Sequence, residues 1–140
     1  MNGNVFTYGS LMFDAVWRQV VNGDYRSAPA MLHHHQRHAL TGLSYPGVVP
    51  APDLQVAGRL YFDVAAADIA RLDAFEGAEY RREAVQVALA GGEPVDAWTY
   101  NWLDAQRLSG QPWQSEAFRL REFLQAYPPA AADPHADPGS

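Results

Sequence analysis

The sequence predicts a single α+β domain, in which mostly antiparallel strands form a sheet or an open barrel that carries two or three helices. Three observations favour this fold class. Segments rich in β-branched and aromatic residues indicate strands, and segments with apolar residues at spacings of three or four indicate helices. Paired glycines between two alternating segments indicate a hairpin. A length of 140 residues fits one domain with a substantial core.

The N-terminal segment is typical of a strand, a glycine turn and a helix. Residues 5–8 read Val-Phe-Thr-Tyr and stop at Gly9, which predicts a short strand ending in a tight turn. Beyond the turn, apolar residues recur at helical spacing, at Met12, Val16 and Val20. The Asn-Gly pair at positions 22–23 is a stop signal for this helix.

The middle of the chain predicts strands on either side of a loop. Residues 27–42 favour consecutive strands, and residues 33–38 among them are rich in histidine. The prolines within residues 45–52 predict a loop, because proline donates no hydrogen bond and restricts the residue before it. Residues 56–64 alternate, which predicts a strand with one face formed by Val56, Gly58, Leu60, Phe62 and Val64.

The second half predicts a helix, a hairpin and a last helix. Residues 65–75 carry apolar residues at a spacing of three, and Gly77 stands just past the end of this helix. Residues 85–89 and 95–100 flank a Gly-Gly turn and predict a hairpin. Ser115 is the expected N-cap of the last helix, whose apolar set is Phe118, Leu120, Phe123, Leu124 and Tyr127.

The composition changes after residue 127 to proline, alanine, aspartate, glycine and serine. Such a segment buries too little apolar surface to offset the entropy lost on ordering. We therefore expect one domain over residues 1–127 and a disordered tail over residues 128–140.

The composition excludes several classes of function. The absence of cysteine rules out disulfides, thiolate metal sites and a cysteine nucleophile, and it suits a reducing compartment. The formal net charge is −6, lysine is absent, and Arg81 and Arg82 are the one pair of adjacent cations, so no nucleic-acid partner is expected. No signal-like N-terminus and no long apolar run occur, which predicts a cytoplasmic protein with no membrane partner.

The first candidate site is the turn formed by Tyr8, Gly9, Ser10 and Leu11. A glycine turn between a strand and a helix leaves successive N–H groups unpaired, and these suit a carboxylate or a phosphate. The alternative is that Gly9 makes only a corner and Ser10 only caps the helix, and spacing alone favours it. Ser10 is not predicted as a hydrolase nucleophile, because the Gly-x-Ser-x-Gly motif is absent.

The second candidate is Glu76, at the predicted C-terminal end of a helix between Phe75 and Gly77. The helix dipole disfavours negative charge there, and an apolar cavity would raise the pKa of this carboxyl further, toward the range of a general acid or base. The alternatives are a solvated helix end, or exposed pairs between acidic residues of this segment and Arg81 or Arg82.

The histidine segment is a third candidate. On a strand, His33 and His35 would share a face at a spacing that can chelate a metal. No carboxylate lies in the segment to complete such a site, so an exposed polar face is favoured and no metal site is predicted.

Several sequence blocks stand out when taken together and in order. They read Val-Phe-Thr-Tyr-Gly-Ser-Leu at 5–11, Tyr-Pro-Gly at 45–47, Gly-Arg-Leu-Tyr at 58–61, and Leu-Asp-Ala-Phe-Glu-Gly at 72–77 followed by Tyr80-Arg81-Arg82. This set resembles the gamma-glutamylcyclotransferase-like superfamily, and within it the gamma-glutamylamine cyclotransferase branch with its plant and bacterial relatives. The resemblance spans roughly residues 4–103 and fades beyond Leu103.

The resemblance implies a small mixed, mostly antiparallel β-barrel with two to three flanking helices and one cavity. It implies that the backbone of Tyr8, Gly9, Ser10 and Leu11 holds a gamma-glutamyl group and that Glu76 is the general acid/base. Tyr80 and Arg82 match a Tyr-x-Arg pattern expected near the substrate.

The implied reaction converts a gamma-glutamyl amine, or a related gamma-glutamyl compound, into 5-oxoproline and a free amine. The substrate's own α-amine attacks its γ-carbonyl, so neither a cofactor nor a metal is required. The expected partner is this small-molecule substrate, and the expected state is a monomer or a weak dimer.

Two other interpretations stay open. A non-catalytic module could bind a small carboxylate or amino acid in the same cavity. A protein-interaction domain could use Trp98, Trp102 and Trp113, although core positions explain these aromatic residues equally well. Whether Glu76 faces a cavity beside the turn at Tyr8 to Leu11 discriminates among them. The identity of the leaving amine is open.

Overall fold

A computed structural model describes residues 2–41, 43 and 45–113 of the chain. Within them the strands are β1 (Gly3–Thr7), β2 (Ser27–Leu40), β3 (Pro46–Val64), β4 (Tyr80–Leu89), β5 (Pro94–Trp102) and β6 (Leu108–Pro112). The α-helices are α1 (Asp14–Val20) and α2 (Ala66–Glu76), and short 3₁₀ helices lie at Ser10–Met12 and Ala105–Arg107. The helix predicted from Ser115, the boundary at residue 127 and the tail at 128–140 lie outside the described residues.

Five strands close into a barrel in the order β3-β1-β5-β4-β2, because β2 also pairs with β3. The neighbours pair antiparallel except β1 and β5, which pair in parallel at Val5 and Trp98. Strand β6 extends the sheet by pairing with the second half of β2. The predicted mixed, mostly antiparallel barrel is confirmed, with two α-helices in the described part.

Alternation along the strands divides the apolar side chains into two clusters. Phe6 belongs to a cluster of strand residues that fills the barrel and includes Leu60 and Val87. The preceding residue, Val5, points to the opposite face and packs in a second cluster with residues of α1 and α2, including Leu72. The helices therefore cover one side of the barrel and are held there by apolar burial.

The prediction that one face of residues 56–64 runs through to Val64 is wrong at Val64. Asp63 has a φ of 55°, and the register of β1 against β3 shifts there, because Gly3 pairs with Val64 whereas Val5 pairs with Tyr61. Such a bulge inserts one extra residue into a strand. As a result Val64 packs with Tyr61 beneath the helices and not with Leu60 inside the barrel.

The loop predicted over residues 45–52 is also wrong, because β3 begins at Pro46 and pairs with β2 there. Strand β1 covers only the last part of β3, so within the described residues the first part of β3 has one edge without a partner strand. Along a strand, the backbone N–H groups of successive residues point to alternate edges. Pro46, Pro50 and Pro52 are separated by even numbers of residues, so their nitrogens can all lie at the edge that does not face β2, where no donor is needed.

The two predicted helices differ in how closely they match the structure. The first is divided, because Phe13 has an extended backbone (φ −83°, ψ 123°) between the 3₁₀ helix and α1. The second is confirmed as α2, and Gly77 ends it with a φ of 80°, a conformation that glycine adopts without strain.

The tryptophans proposed as exposed recognition residues are largely core residues. Trp102 and Trp113 are 4% and 7% exposed, respectively. Trp98 is partly buried, and the guanidinium of Arg82 lies 4.4 Å from the centre of its ring. The structure therefore favours the core interpretation of these aromatic residues.

Candidate active site

A cavity lies where the end of β1 meets the C-terminal end of α2 and the first residues of β3 and β4. Its lining residues are mostly aromatic, apolar or backbone groups, with one carboxylate, and they are Phe6, Thr7, Tyr8, Gly9, Ser10, Leu11, Tyr45, Pro46, Phe75, Glu76, Tyr80 and Tyr100. A mainly apolar pocket with a few convergent polar groups is the usual form of a small-molecule site.

Most of the site residues predicted from the sequence meet in this cavity. Both the turn from Tyr8 to Leu11 and the carboxyl-bearing Glu76 line it, as does Tyr80 at the start of β4. Glu76 thus faces a cavity beside the turn, which is the arrangement that distinguishes a site from a solvated helix end. The functional roles of these residues stay predictions.

The turn after β1 lines the cavity, and its backbone groups are only partly used in the hydrogen bonds of the described residues. Gly9 and Ser10 accept the hydrogen bonds of the 3₁₀ helix through their carbonyls, from Met12 N–H and Phe13 N–H. Among the described residues, no acceptor is found for the N–H groups of Gly9, Ser10 or Leu11. Ser10 and Leu11 are themselves buried, at 7% and 5% exposure, so their N–H groups have little access to bulk water except through the cavity.

Gly9 is required by close packing. A Cβ atom at this position would lie 2.7 Å from Cδ of Pro46, the first residue of β3. The carbonyl of Pro46 accepts a 2.7 Å hydrogen bond from the Tyr80 hydroxyl. The turn, the start of β3 and the start of β4 are therefore in direct contact around the cavity.

Glu76 is the last residue of α2, and Gly77 turns the chain away immediately afterwards. Burial raises the pKa of the Glu76 carboxyl from its ordinary value of 4.5 to about 8, and the nearby charge of Asp73 adds to this effect. A carboxyl with a pKa near neutrality can both accept and donate a proton under physiological conditions.

Three of the lining tyrosines use their hydroxyl protons within the protein. Tyr8 donates to the Tyr100 carbonyl at 2.6 Å, Tyr80 to the Pro46 carbonyl at 2.7 Å, and Tyr100 to Oδ1 of Asp73 at 2.6 Å. Burial is the main reason that the pKa values of all three phenols are raised above 10, so they stay neutral. Any of their oxygens that reaches the cavity can act there only as a hydrogen-bond acceptor.

Arg82 does not line the cavity. Its Nε lies 3.1 Å from Oδ1 of Asp73, the same oxygen that accepts from Tyr100. The arginine lies over Trp98, on the side of Asp73 that faces a surface groove formed with α2. Arg82 therefore contacts Asp73 from outside the cavity, and this position does not support direct contact with a substrate.

Sequence reasoning assigned no role in the site to Tyr100, which lines the cavity, or to Asp73, which accepts a hydrogen bond from the Tyr100 hydroxyl. Asp73 precedes Glu76 by three positions on a helix, so the spacing alone places both on one face. That signal was present in the sequence. Tyr100 had no comparable signal, because its contact with Asp73 joins β5 to α2 across 27 positions.

The histidine segment lies away from the cavity. His34 has a φ of 61°, and the pairing of β2 with β3 shifts between His33 and His35, which interrupts the alternation expected to place both on one face. Across residues 2–41, 43 and 45–113, no group of three or more His, Asp or Glu side chains is arranged to hold a metal ion. No helix in the same residues is long and apolar enough to cross a bilayer.

Comparisons with known proteins agree with this fold. The chain is 34% identical over 130 residues to Protein AIG2 C of Arabidopsis thaliana, which covers 89% of this chain and 78% of the relative. A solution structure of an Arabidopsis thaliana protein has a TM-score of 0.71 at 30% identity, covering 99% of this chain and 87% of that one.

A more distant solved structure carries the name gamma-glutamyl cyclotransferase. It has a TM-score of 0.65 and 16% identity, over 74% of this chain and 68% of that one, so the similarity concerns the fold alone. The profile of the family described as "Gamma-glutamyl cyclotransferase, AIG2-like" matches residues 5–120, which include the turn after β1 and Glu76. The chain belongs to the gamma-glutamyl cyclotransferase, AIG2-like family.

Proposed function

We propose that this protein is a cofactor-independent cyclotransferase, which converts a gamma-glutamyl amine or a related gamma-glutamyl compound into 5-oxoproline and a free amine. The observation that carries the proposal is the position of Glu76. Its carboxyl, with a pKa raised by burial to about 8, lines the same cavity as Gly9, Ser10 and Leu11, whose N–H groups have no acceptor within residues 2–41, 43 and 45–113. Family membership supports the same reaction class.

The cavity combines backbone N–H donors with hydrogen-bond acceptors, which suits the α-carboxylate and the α-ammonium at the amino-acid end of the substrate. The N–H groups of Gly9, Ser10 and Leu11 would donate to the α-carboxylate, as backbone donors do in other anion sites. The α-ammonium would face Glu76 and nearby phenol oxygens, which can only accept hydrogen bonds. Tyr80 would form part of the wall around the glutamyl chain.

The reaction begins when Glu76, as a carboxylate, takes a proton from the α-ammonium. The freed α-amine attacks the γ-carbonyl carbon, so a new C–N bond closes the five-membered ring and the carbonyl oxygen becomes negative. Protonated Glu76 then delivers the proton to the nitrogen of the leaving amine. The bond from this nitrogen to the γ-carbon breaks as the carbonyl re-forms, and Glu76, a carboxylate again, takes the second proton from the ring nitrogen. That proton passes to the departing amine, so 5-oxoproline leaves as a lactam, the amine leaves as an ammonium ion, and Glu76 returns to its ionised form.

The enzyme contributes position and proton transfer. Because nucleophile and electrophile belong to one molecule, holding the substrate in a folded conformation supplies much of the rate enhancement. A raised pKa brings Glu76 closer to an ammonium group in proton affinity than an ordinary carboxylate, so both transfers become easier. A backbone N–H of the turn could also stabilise the oxyanion.

The test measures 5-oxoproline released from a panel of gamma-glutamyl amines by the wild type, Glu76→Gln and Glu79→Gln. Glu79 is an exposed carboxylate three residues further on, and it serves as the matched control. Glu76→Gln should fold normally and lose at least about a hundredfold in rate, whereas Glu79→Gln should match the wild type. Equal rates for both variants would remove Glu76 from the mechanism.

The same panel separates catalysis from the alternative function of a non-catalytic binding module. Such a module would be stabilised thermally by a gamma-glutamyl compound and would release no 5-oxoproline.

We also propose a cytoplasmic location, since a chain without cysteine suits a reducing compartment. Fractionation of cells that express the full chain tests the location.

A further inference from the structure

Arg37 lies on β2, outside the cavity lining, and its guanidinium contacts the back of the turn that follows β1. Its Nη1 donates a 2.8 Å hydrogen bond to the backbone carbonyl of Tyr8. A longer contact of 3.5 Å joins the same nitrogen to the carbonyl of Ala57 on β3. The guanidinium also stands 5.2 Å from the centre of the Trp113 ring. Three contacts from different parts of the chain therefore hold this group in place.

The carbonyl that Arg37 holds belongs to the peptide unit joining Tyr8 to Gly9. A trans peptide is planar, and its C=O and N–H point in opposite directions. The Gly9 N–H must therefore point away from Arg37, and Gly9 lines the cavity whereas Arg37 does not. No acceptor for this N–H is found in the part of the chain that the structure describes.

The charge on the arginine adds to this geometric effect. A hydrogen bond from a guanidinium to a carbonyl is charge-assisted, and it polarises the peptide unit toward greater positive charge on its N–H. The donor that faces the cavity is made stronger by a cation that never enters the cavity. A lysine could supply the charge but not the planar guanidinium that lies over the Trp113 ring.

We propose that Arg37 is a positioning residue of the active site, which holds the Tyr8 carbonyl and thereby aims the Gly9 N–H at the α-carboxylate of the ligand. The inference rests on the proposed function for the identity of the ligand, because 5-oxoproline retains the same carboxylate as the substrate. Arg37 itself touches neither the substrate nor the reacting atoms.

The test is an NMR titration of the isotopically labelled full chain with 5-oxoproline, followed at the Gly9 amide cross-peak. In the wild type this cross-peak should shift saturably. In Arg37→Met, which keeps an unbranched side chain of similar reach against Trp113, half-saturation should need at least about tenfold more 5-oxoproline, and the Gly9 shift should shrink. Arg37→Lys should give an intermediate affinity, and it carries the test if Arg37→Met does not fold.

Arg107→Met is the matched control. Arg107 also donates to a backbone carbonyl, that of Thr41 at 3.1 Å, but it lies outside the cavity lining. This variant should bind 5-oxoproline as the wild type does. In turnover assays Arg37→Met should raise KM with a much smaller change in kcat, because the carboxylate contact is the same in the ground state and the transition state.

Two results would overturn the inference: a Gly9 cross-peak that does not respond to 5-oxoproline in the wild type, or Arg37 variants that bind as tightly as Arg107→Met. Failure of the proposed function is a different result. A wild type that shifts at Gly9 but releases no 5-oxoproline from any gamma-glutamyl amine contradicts the cyclotransferase proposal and still supports the role of Arg37.

Discussion

The hydroxyl group of Tyr100 donates a 2.6 Å hydrogen bond to Oδ1 of Asp73. Tyr100 lines the cavity, and Asp73 stands three residues before Glu76 on the same helix. The contact therefore fixes a negative charge near the proposed general acid/base without exposing that charge to the substrate. Arg82 holds the same oxygen from the other side, at 3.1 Å.

Replacing Asp73 with asparagine keeps the side-chain shape and removes the charge that helps to raise the pKa of Glu76. Glu76 must be ionised to take the first proton, so the kcat/KM of the wild type should rise with pH through a value of about 8. In Asp73→Asn the rise should move to lower pH, with a plateau of the same order. Steady-state kinetics across pH measures both profiles.

Asp24→Asn is the control for this shift, because Asp24 is exposed and its ion pair with Arg18 is long, at 3.4 Å. Its profile should match the wild type. A profile for Asp73→Asn that also matches the wild type would show that Asp73 does not tune Glu76.

The raised pKa of Glu76 also makes stability depend on pH. Above its ordinary pKa of 4.5 the unfolded chain releases this proton, whereas the folded protein retains it to about pH 8. The folded state binds more protons in this window, so its free energy of unfolding should fall as pH rises, by at most about 1.4 kcal/mol per pH unit. Urea unfolding should show a smaller slope for Glu76→Gln. Equal slopes would assign the dependence to other groups.

A methyl group at position 9 should disturb the site. The Cβ of Gly9→Ala would lie 2.7 Å from Pro46, whose carbonyl holds the Tyr80 hydroxyl. We expect kcat/KM to fall at least about tenfold through misplacement of the turn, and the free energy of unfolding to fall by about 1–3 kcal/mol.

Gly91→Ala is the matched control for that substitution. A Cβ at Gly91 approaches Oε1 of Glu93, the end of a flexible exposed side chain, at 3.0 Å. This variant should keep wild-type activity, measured as 5-oxoproline release. Equal activity of the two alanine variants would mean that the close packing at Gly9 is not needed for the reaction.

Asp68 should affect stability alone. Its buried carboxylate accepts from the N–H groups of Asn22 at 2.9 Å and Gly23 at 3.0 Å and from the Tyr25 hydroxyl at 2.6 Å, which joins α2 to the segment after α1. Asp68→Asn should lower the free energy of unfolding by about 1–3 kcal/mol and leave kcat/KM unchanged, because Asp68 lies outside the cavity lining. A fall in kcat/KM in the folded variant would contradict this separation.

The contribution of Asp68 to the free energy of unfolding should change with pH in a defined direction. Burial acts to raise the pKa of Asp68, but hydrogen bonds from Tyr25, Asn22 and Gly23 outweigh it and lower the pKa below 3.8. The stabilisation is therefore present above about pH 4 and is lost as pH falls through the lower folded value. The stability difference between the wild type and Asp68→Asn should shrink on acidification, which urea unfolding at acidic pH measures.

Local signals explain what could be predicted from the sequence. The end of α2 follows from its helical spacing and Gly77, which is enough to place Glu76 at a helix terminus. The strand, glycine and turn at the N-terminus are similarly local. Periodicity reports the conformation of residues that are close in sequence. It therefore places the N-terminal turn and the end of α2 within their own segments, but it does not show that the two segments meet in the folded protein.

The features that could not be predicted depend on contacts between distant segments. Arg37 reaches Tyr8 across 29 positions, and Tyr100 reaches Asp73 across 27. Pro46 was expected in a loop because proline lacks a donor, but it lies at an edge of β3 that has no partner strand in the part of the chain that the structure describes, so the missing donor costs no ladder hydrogen bond. The bulge at Asp63 reverses the face of Val64 without any glycine to signal it.

The proposed mechanism requires the Glu76 carboxylate to transfer the proton when a gamma-glutamyl compound closes to 5-oxoproline. The most direct measurement is kcat for 5-oxoproline release by the wild type and by Glu76→Gln at saturating substrate, with binding of 5-oxoproline measured on the same preparations. We expect the wild type and the variant to bind 5-oxoproline similarly, and kcat to be at least about a hundredfold lower in the variant. A kcat equal to that of the wild type, or a wild type that releases no 5-oxoproline from any substrate of the panel, would contradict it.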